Sequence, residues 1–303
     1  MKSEDYLINL TCKVIFLALI GPGTGGNSFL IVKHVYMAIT DFQKKPTNLI
    51  LIQLAFANML IICAVGITDR SVFPFSGFLG SVGCKTVVYL GRVARGLSIC
   101  TSCLLSMVQA VTISPRTMLW GNLKPRTSWQ ILPYLLLCWI INFLISSNLL
   151  HYVTSVSSMN RSVIGMHAGY CYFLPSRQII RWLFLSLMAL RDVIFQCLMG
   201  WSSGHMAFCL YEHHKLVLYL HSSRMAKNSS PEIRATLSTL ILMTCFLFFY
   251  WADFIFSFYI GSMVTHDFTI LNIKKFLGLG YTVLSPLVLI SRDAHMVKCW
   301  HGH

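Results

Sequence analysis

The chain alternates long apolar runs with short links that hold most of its charge. A helix needs about 20 mainly apolar residues to cross the hydrocarbon of a membrane. Seven runs meet or approach that length: Val14–Val32, Thr47–Thr68, Thr86–Ser114, Ile131–Leu150, Trp182–Leu210, Ala235–Gly261 and Phe276–Ser291. Lys, Arg, Asp and Glu enter them only as Arg92 and Arg95 in the third, Arg191 and Asp192 in the fifth, and Asp253 in the sixth. The pattern predicts an all-α membrane protein. It is a seven-transmembrane helix bundle forming one domain over residues 1–303, with no repeat relating its halves.

Composition agrees. Of 303 residues, 55% are hydrophobic and 11% charged, whereas a soluble domain carries roughly 25% charged residues. Too little polar surface is left to face water, and the mean hydropathy of +0.65 points the same way. The net charge of +14 raises the question of nucleic acid. Lys and Arg, however, cluster between the apolar runs rather than along one groove. Basic links facing anionic lipid headgroups fit that placement, and no nucleic-acid partner is expected. The eleven cysteines lie mostly inside apolar runs, where Cys acts as a small hydrophobe. The N-terminal stretch MKSEDYLINLTCK is mixed in charge and does not read as a cleaved signal peptide. The first span is expected to serve as its own insertion signal.

An odd number of spans puts the termini on opposite sides, but Lys and Arg divide almost evenly between the two faces. Other features set the orientation. The 2–3 link ends at Cys84, at the mouth of span 3, and the 4–5 link carries Cys171 on the same side. A disulfide between them requires an oxidising compartment. The 4–5 link also holds the glycosylation acceptor Asn160-Arg161-Ser162. The link after span 3, Pro115–Arg126, has three basic residues and no acid, as a cytosolic loop should. The expected topology is N-terminus outside and C-terminus cytosolic, with Asn160 glycosylated. Asn228-Ser229-Ser230 falls on the cytosolic side, before Pro231, and is expected to stay unmodified.

Gly21–Gly26 reads GPGTGG and formally matches G-x-G-x-x-G. A dinucleotide site needs that motif between a strand and a helix, whereas this one lies inside a span. There the glycines either loosen the helix or let a neighbour pack closely. His205, His213, His214 and His221 are read as residues of a polar 5–6 loop, without the spacing of a closed metal site. No nucleophile–base–acid set stands out, so no cofactor, metal or enzymatic activity is expected.

Charges within spans are costly in lipid and must face the bundle interior or water. Arg92 lies eight residues past Cys84, about 12 Å into the membrane at 1.5 Å per residue. Asp253 lies eight residues before Gly261, at the same depth from its own end. Tyr89, Arg92 and Arg95 follow i, i+3 spacing and are expected on one face of span 3. Depth makes Arg92 the expected partner of Asp253, leaving Arg95 to meet a ligand carboxylate or sulfate. Such a pair could be purely structural, or it could line an outer cavity. On the second reading Tyr89, Arg92, Arg95 and Asp253 are the candidate ligand-binding residues.

Several motifs carry a resemblance. LIQLAFAN (Leu51–Asn58) is similar to the L-A-x-A-N signature of vomeronasal type-1 receptors, with Asn58 where other rhodopsin-like receptors usually have Asp. GNSFL (Gly26–Leu30) resembles the family's glycine–asparagine motif in span 1. The stretch Cys84–Arg116 resembles the family most specifically, through its paired arginines, its LLS block and the terminal T-I-S-P-R that stands in place of Asp-Arg-Tyr. SSPEIRAT (Ser229–Thr236), FFYWADFIFSF (Phe248–Phe258) and SPLVLISRD (Ser285–Asp293) resemble it too, the last in place of Asn-Pro-x-x-Tyr. The likeness runs from about Asn9 to Asp293. It implies a plasma-membrane pheromone receptor of vomeronasal sensory neurons that binds small molecules and activates a Gi/Go-class G protein. Pro115 and Arg116 would then serve the coupling. A bitter-taste-type receptor is the nearest rival, opposed by the Cys84/Cys171 pair and T-I-S-P-R. A small transporter or channel is another, opposed by the absence of inverted repeats.

Overall fold

The structure is a computed structural model that describes residues 2–40, 46–68, 81–114, 128–147, 150, 153–155, 166–168, 171–173, 178–220, 231–262 and 268–300. Among these are seven α-helices: α1 (Lys2–Thr40), α2 (Thr47–Thr68), α3 (Ser81–Ile113), α4 (Leu132–Ser146), α5 (Gln178–Leu220), α6 (Pro231–Ser262) and α7 (Phe268–Trp300). Five contain a segment long and apolar enough to cross a membrane, and α4 and α6 add the shorter apolar stretches Leu132–Ser146 and Leu240–Phe256.

Only α2 keeps the bounds of its apolar run; α1, α3, α6 and α7 extend past theirs, and α5 and α4 depart in ways that bear on the loops. The α5 helix has 43 residues, about 65 Å at 1.5 Å per residue, and so extends well beyond the hydrocarbon. His205, His213 and His214, read from sequence as part of a polar loop, lie within it. No Gly or Pro interrupts YEHHKLVLYL, and elongating an existing helix is easy once its nucleus has formed. The α4 helix has only 15 residues, with a 3₁₀ turn at Ser128–Gln130 before it and Pro133 in its first turn.

A small sheet lies in the 4–5 link, where the sequence predicts no strand. β1 (Val153–Ser155), β3 (Cys171–Phe173) and β2 (Met166–Ala168) pair antiparallel in that order, with Ser155 and Ala168 flanking Cys171. Helix α3 contacts both β1 and β3.

Side chains are sorted inside out, as lipid demands. Leu136, Leu137, Ile140 and Leu144 of α4 point outward, while polar side chains sit at the centre. Helix α3 is innermost, touching α2, α4, α5 and α6, and from Val93 to Cys103 every residue but Arg95 is buried. Cys100 and Cys103 have C-x-x-C spacing, and both are free thiols in this buried stretch.

A seam of small polar groups joins five helices. Asn27 of α1 donates its amide to the carbonyls of Gly23 (2.8 Å) and Thr282 of α7 (2.9 Å). The Asn58 amide of α2 donates to Ser285 Oγ (2.8 Å) and Asn27 Oδ1 (3.3 Å). Ser98 of α3 donates to Asn58 Oδ1 (3.0 Å), and Tyr250 of α6 donates to Ser98 Oγ (2.9 Å). In the GPGTGG stretch, a Cβ on Gly26 would lie 2.9 Å from the Pro286 ring, and one on Gly23 would lie 3.0 Å from Ile62 and Val283. Of the two sequence readings, close packing describes these two glycines, because a side chain there would push α1 off α2 and α7.

Candidate functional site

The site is built on α3, whose arginines enter the interior because a charge facing lipid has no partner. Arg95 Nη2 forms an ion pair with Asp253 Oδ2 of α6. Asp253 is almost wholly buried, with 4% of its side chain exposed, while Arg95 keeps 21%, so the pair is open on the arginine side. One turn along both helices lies the bond from Tyr250 to Ser98. Because α3 and α6 run antiparallel, Arg95→Ser98 and Asp253→Tyr250 step the same way. The two helices are therefore joined by two rungs about 4.5 Å apart, one ionic and one neutral.

This corrects two expectations. Asp253 pairs with Arg95, not Arg92, and Tyr89 does not share the face of Arg95. Equal counting from span ends assumes upright helices with level ends, but spans tilt by about 20°. Six residues of helix turn through about 600°, so Tyr89 and Arg95 point about 120° apart. Tyr89 faces α4, where its hydroxyl donates to the Phe143 carbonyl at 3.1 Å and its ring stacks on Phe143. Arg92 lies between these directions, partly buried and within electrostatic reach of Arg191 and Asp192 of α5.

A second charged group sits beside the first. Arg191 donates from Nε (2.9 Å) and Nη2 (2.6 Å) to Asp192 Oδ1, and from Nη1 (2.7 Å) to Asn142 Oδ1 of α4. The Asn142 amide in turn donates to the Cys138 carbonyl at 2.7 Å. Gly96 of α3 makes this possible, since a Cβ there would collide with Asn142 Oδ1 and Arg191 Nη1. On the other flank Tyr281 of α7 packs on Tyr250, with ring centroids 4.6 Å apart. Among the described residues, the Tyr281 hydroxyl and Arg95 Nε are both buried without a hydrogen-bond partner.

Cys84, at the start of α3, is fully buried and disulfide-bonded. Cys171 opens β3, and its side chain lies outside the described residues, as do Pro115, Arg116 and Asn160.

Comparison with known proteins decides the family. The model of the vomeronasal organ pheromone receptor family, the type-1 vomeronasal receptors, matches residues 10–302. The chain belongs to that family. It is 32% identical over 300 residues to vomeronasal type-1 receptor 3 of Homo sapiens, covering 98% of this chain and 94% of that relative. It is 32% identical to vomeronasal type-1 receptor 90 of Rattus norvegicus, covering 92% and 89%. Against vomeronasal type-1 receptor 46 of Mus musculus the identity is 27%, covering 98% and 96%. Membership makes the protein a multi-pass membrane chemoreceptor of the pheromone-receptor class, and not an enzyme. It carries with it a small-molecule ligand and G-protein coupling in general.

Asn142, Gly96, Tyr250 and Tyr281 belong to the site without having been expected from the sequence. Asn142 had a signal, as a polar residue in an apolar run. Gly96 had none, because only the neighbouring helices show what a side chain there would meet.

Proposed function

We propose that this vomeronasal-type receptor binds its ligand in the outer half of the bundle, among Tyr89, Arg92, Arg95 and Asp253, and activates a Gi/Go-class G protein. It acts as a single seven-span domain, with the N-terminus outside and the C-terminus cytosolic, its basic links lying against anionic lipid. The observation that carries this is the two-rung join of α3 and α6, Arg95–Asp253 beside Ser98–Tyr250. A ligand shifts a conformational equilibrium only by its difference in affinity for the two states. A molecule that engages Arg95 or Asp253 competes with the ionic rung. It therefore favours the state in which α6 has moved off α3 and the cytosolic ends can admit a G protein. GTP exchange on purified Gi, evoked by fractions of pheromone-bearing secretions, tests this, and exchange on Gs alone would overturn the Gi/Go assignment.

Coupling is assigned to Pro115 and Arg116, at the end of span 3 in an acid-free link. Arg116→Ala should abolish evoked exchange and leave ligand affinity within about threefold, which is under 1 kcal/mol. A large loss of affinity in folded Arg116→Ala protein would remove the coupling role.

Two expected outcomes test the outer face. Cys84 is assigned a disulfide to Cys171, supported by the engaged Cys84 sulfur and by the contact of α3 with β3. Peptide mapping of surface receptor should recover the two cysteines linked, and recovery of Cys171 as a free thiol refutes the pairing. Asn160→Gln should raise gel mobility as much as glycosidase treatment does, while Asn228→Gln should not. A shift for Asn228 in place of Asn160 would invert the topology.

A further inference from the structure

The unbroken α5 helix changes what the spacing of its histidines means. Along a loop, HMAFCLYEH (His205–His213) shows no metal-site pattern. Wound into α5, His205, Cys209 and His213 fall at i, i+4 and i+8, with Glu212 at i+7. Positions three and four apart are neighbours on a helix surface. At 3.6 residues per turn these four positions share an arc of about 100° and form one ridge.

Two of the donors already meet. Cys209 Sγ lies 3.6 Å from His205 Nδ1 and 4.0 Å from its Nε2, and both side chains are partly buried. Tetrahedral Zn2+ bonds a thiolate at about 2.3 Å and an imidazole nitrogen at about 2.05 Å, which sets those two atoms about 3.6 Å apart. The pair therefore stands at the separation of a two-point chelate. Among the described residues no three donors yet converge on one point. Glu212 is exposed on the next turn, beside position 213, so the third ligand comes from that turn and water fills the fourth place.

The ridge is also within reach of water. His205 lies 23 residues past Trp182, about 35 Å along the axis, which exceeds the roughly 30 Å of hydrocarbon. One turn before it Trp201 is 73% exposed, as suits an aromatic side chain at a membrane interface. Arg191 and Asp192 lie at least 13 residues back along α5, about 20 Å away, so this ridge stands apart from the interior charges.

We propose that His205 and Cys209, completed by Glu212 or His213, form a Zn2+ site on α5 beyond the hydrocarbon. Imidazole with thiolate is a donor set for Zn2+, whereas Mg2+ and Ca2+ take oxygen ligands. On binding, the Cys209 thiol releases its proton to solvent and the thiolate takes the metal, with no change of oxidation state.

The test uses full-length receptor in nanodiscs, carrying no polyhistidine tag and kept reduced by a phosphine. Co2+ serves as the spectroscopic stand-in, because thiolate ligation gives it a near-ultraviolet charge-transfer band. One Co2+ per receptor should produce that band, and Zn2+ should displace it. Cys209→Ser should remove the band. His205→Ala should weaken Zn2+ binding by about tenfold or more, since even outer-shell partners cost that much when lost. At least one of Glu212→Ala and His213→Ala should weaken it by a similar factor and so name the third ligand. Cys209→His should keep Zn2+ but lose the band, which separates loss of a ligand from loss of fold. Cys197→Ser, which replaces an exposed thiol of the same helix, should change nothing. No band, a band that survives Cys209→Ser, or Zn2+ affinity untouched by His205→Ala would each overturn the site and leave a thiol–imidazole hydrogen bond. So would affinity unchanged in both Glu212→Ala and His213→Ala, or a Cys209→His receptor that binds no Zn2+.

Discussion

Asp253→Ala should reduce folded receptor at the cell surface by an order of magnitude or more. The substitution strands Arg95 in the interior, and breaking a buried pair from one side costs about 3–5 kcal/mol. Arg95→Ala should do similar damage by stranding Asp253, which is the more deeply buried partner. The charge-swapped double variant, Arg95→Asp with Asp253→Arg, should recover delivery above either single change. Arg92→Ala combined with Asp253→Ala should instead be additive within about 0.5 kcal/mol. Flow cytometry of tagged receptor, with thermal unfolding of purified protein, reads both cycles. Coupling near zero between residues 95 and 253 would mean they do not meet in the membrane. If the swap restores delivery but not ligand response, the pair contacts ligand as well as holding α3 to α6. If it restores both, the rung is structural.

The second large effect needs only one carbon. Gly96→Ala should be as damaging as loss of a buried ion pair, about 3–5 kcal/mol, because its methyl group occupies the place of the Asn142–Arg191 hydrogen bond. Either α4 and α5 retreat from α3, or Arg191 loses its neutral anchor and leans on Asp192 alone. Gly21→Ala and Gly25→Ala are the controls. Nothing lies within 4 Å of a Cβ at either position, and each replacement raises helix propensity. Surface expression of Gly96→Ala equal to that of the controls would show that the contact of α3 with α4 and α5 is looser than described.

The apolar runs made the bundle legible, because a membrane-spanning helix must supply all its own backbone hydrogen bonds and so writes its length into the sequence. What lies between the spans obeys no such rule. Three-residue strands are too short for a period to register, and the extension of α5 beyond the hydrocarbon looks like a charged loop. The site was half legible. Charge in an apolar run marked Arg92, Arg95 and Asp253, but pairing depends on helix rotation and tilt, and a one-turn error exchanges Arg92 for Arg95.

The seam through Asn27, Asn58 and Ser285 has a mechanical consequence. Gly26 seats α1 against the Pro286 ring, Asn27 holds the Thr282 carbonyl, and Asn58 holds Ser285, so α1, α2 and α7 are cross-braced on both backbone and side chains. Among the described residues, the polar contacts that join helix α6 to α3 are made by side chains, at the two rungs. The three cross-braced helices act as a door frame and α6 as the door. Substitutions in the frame would change how much receptor reaches the membrane, whereas substitutions at the latch would change how readily it opens.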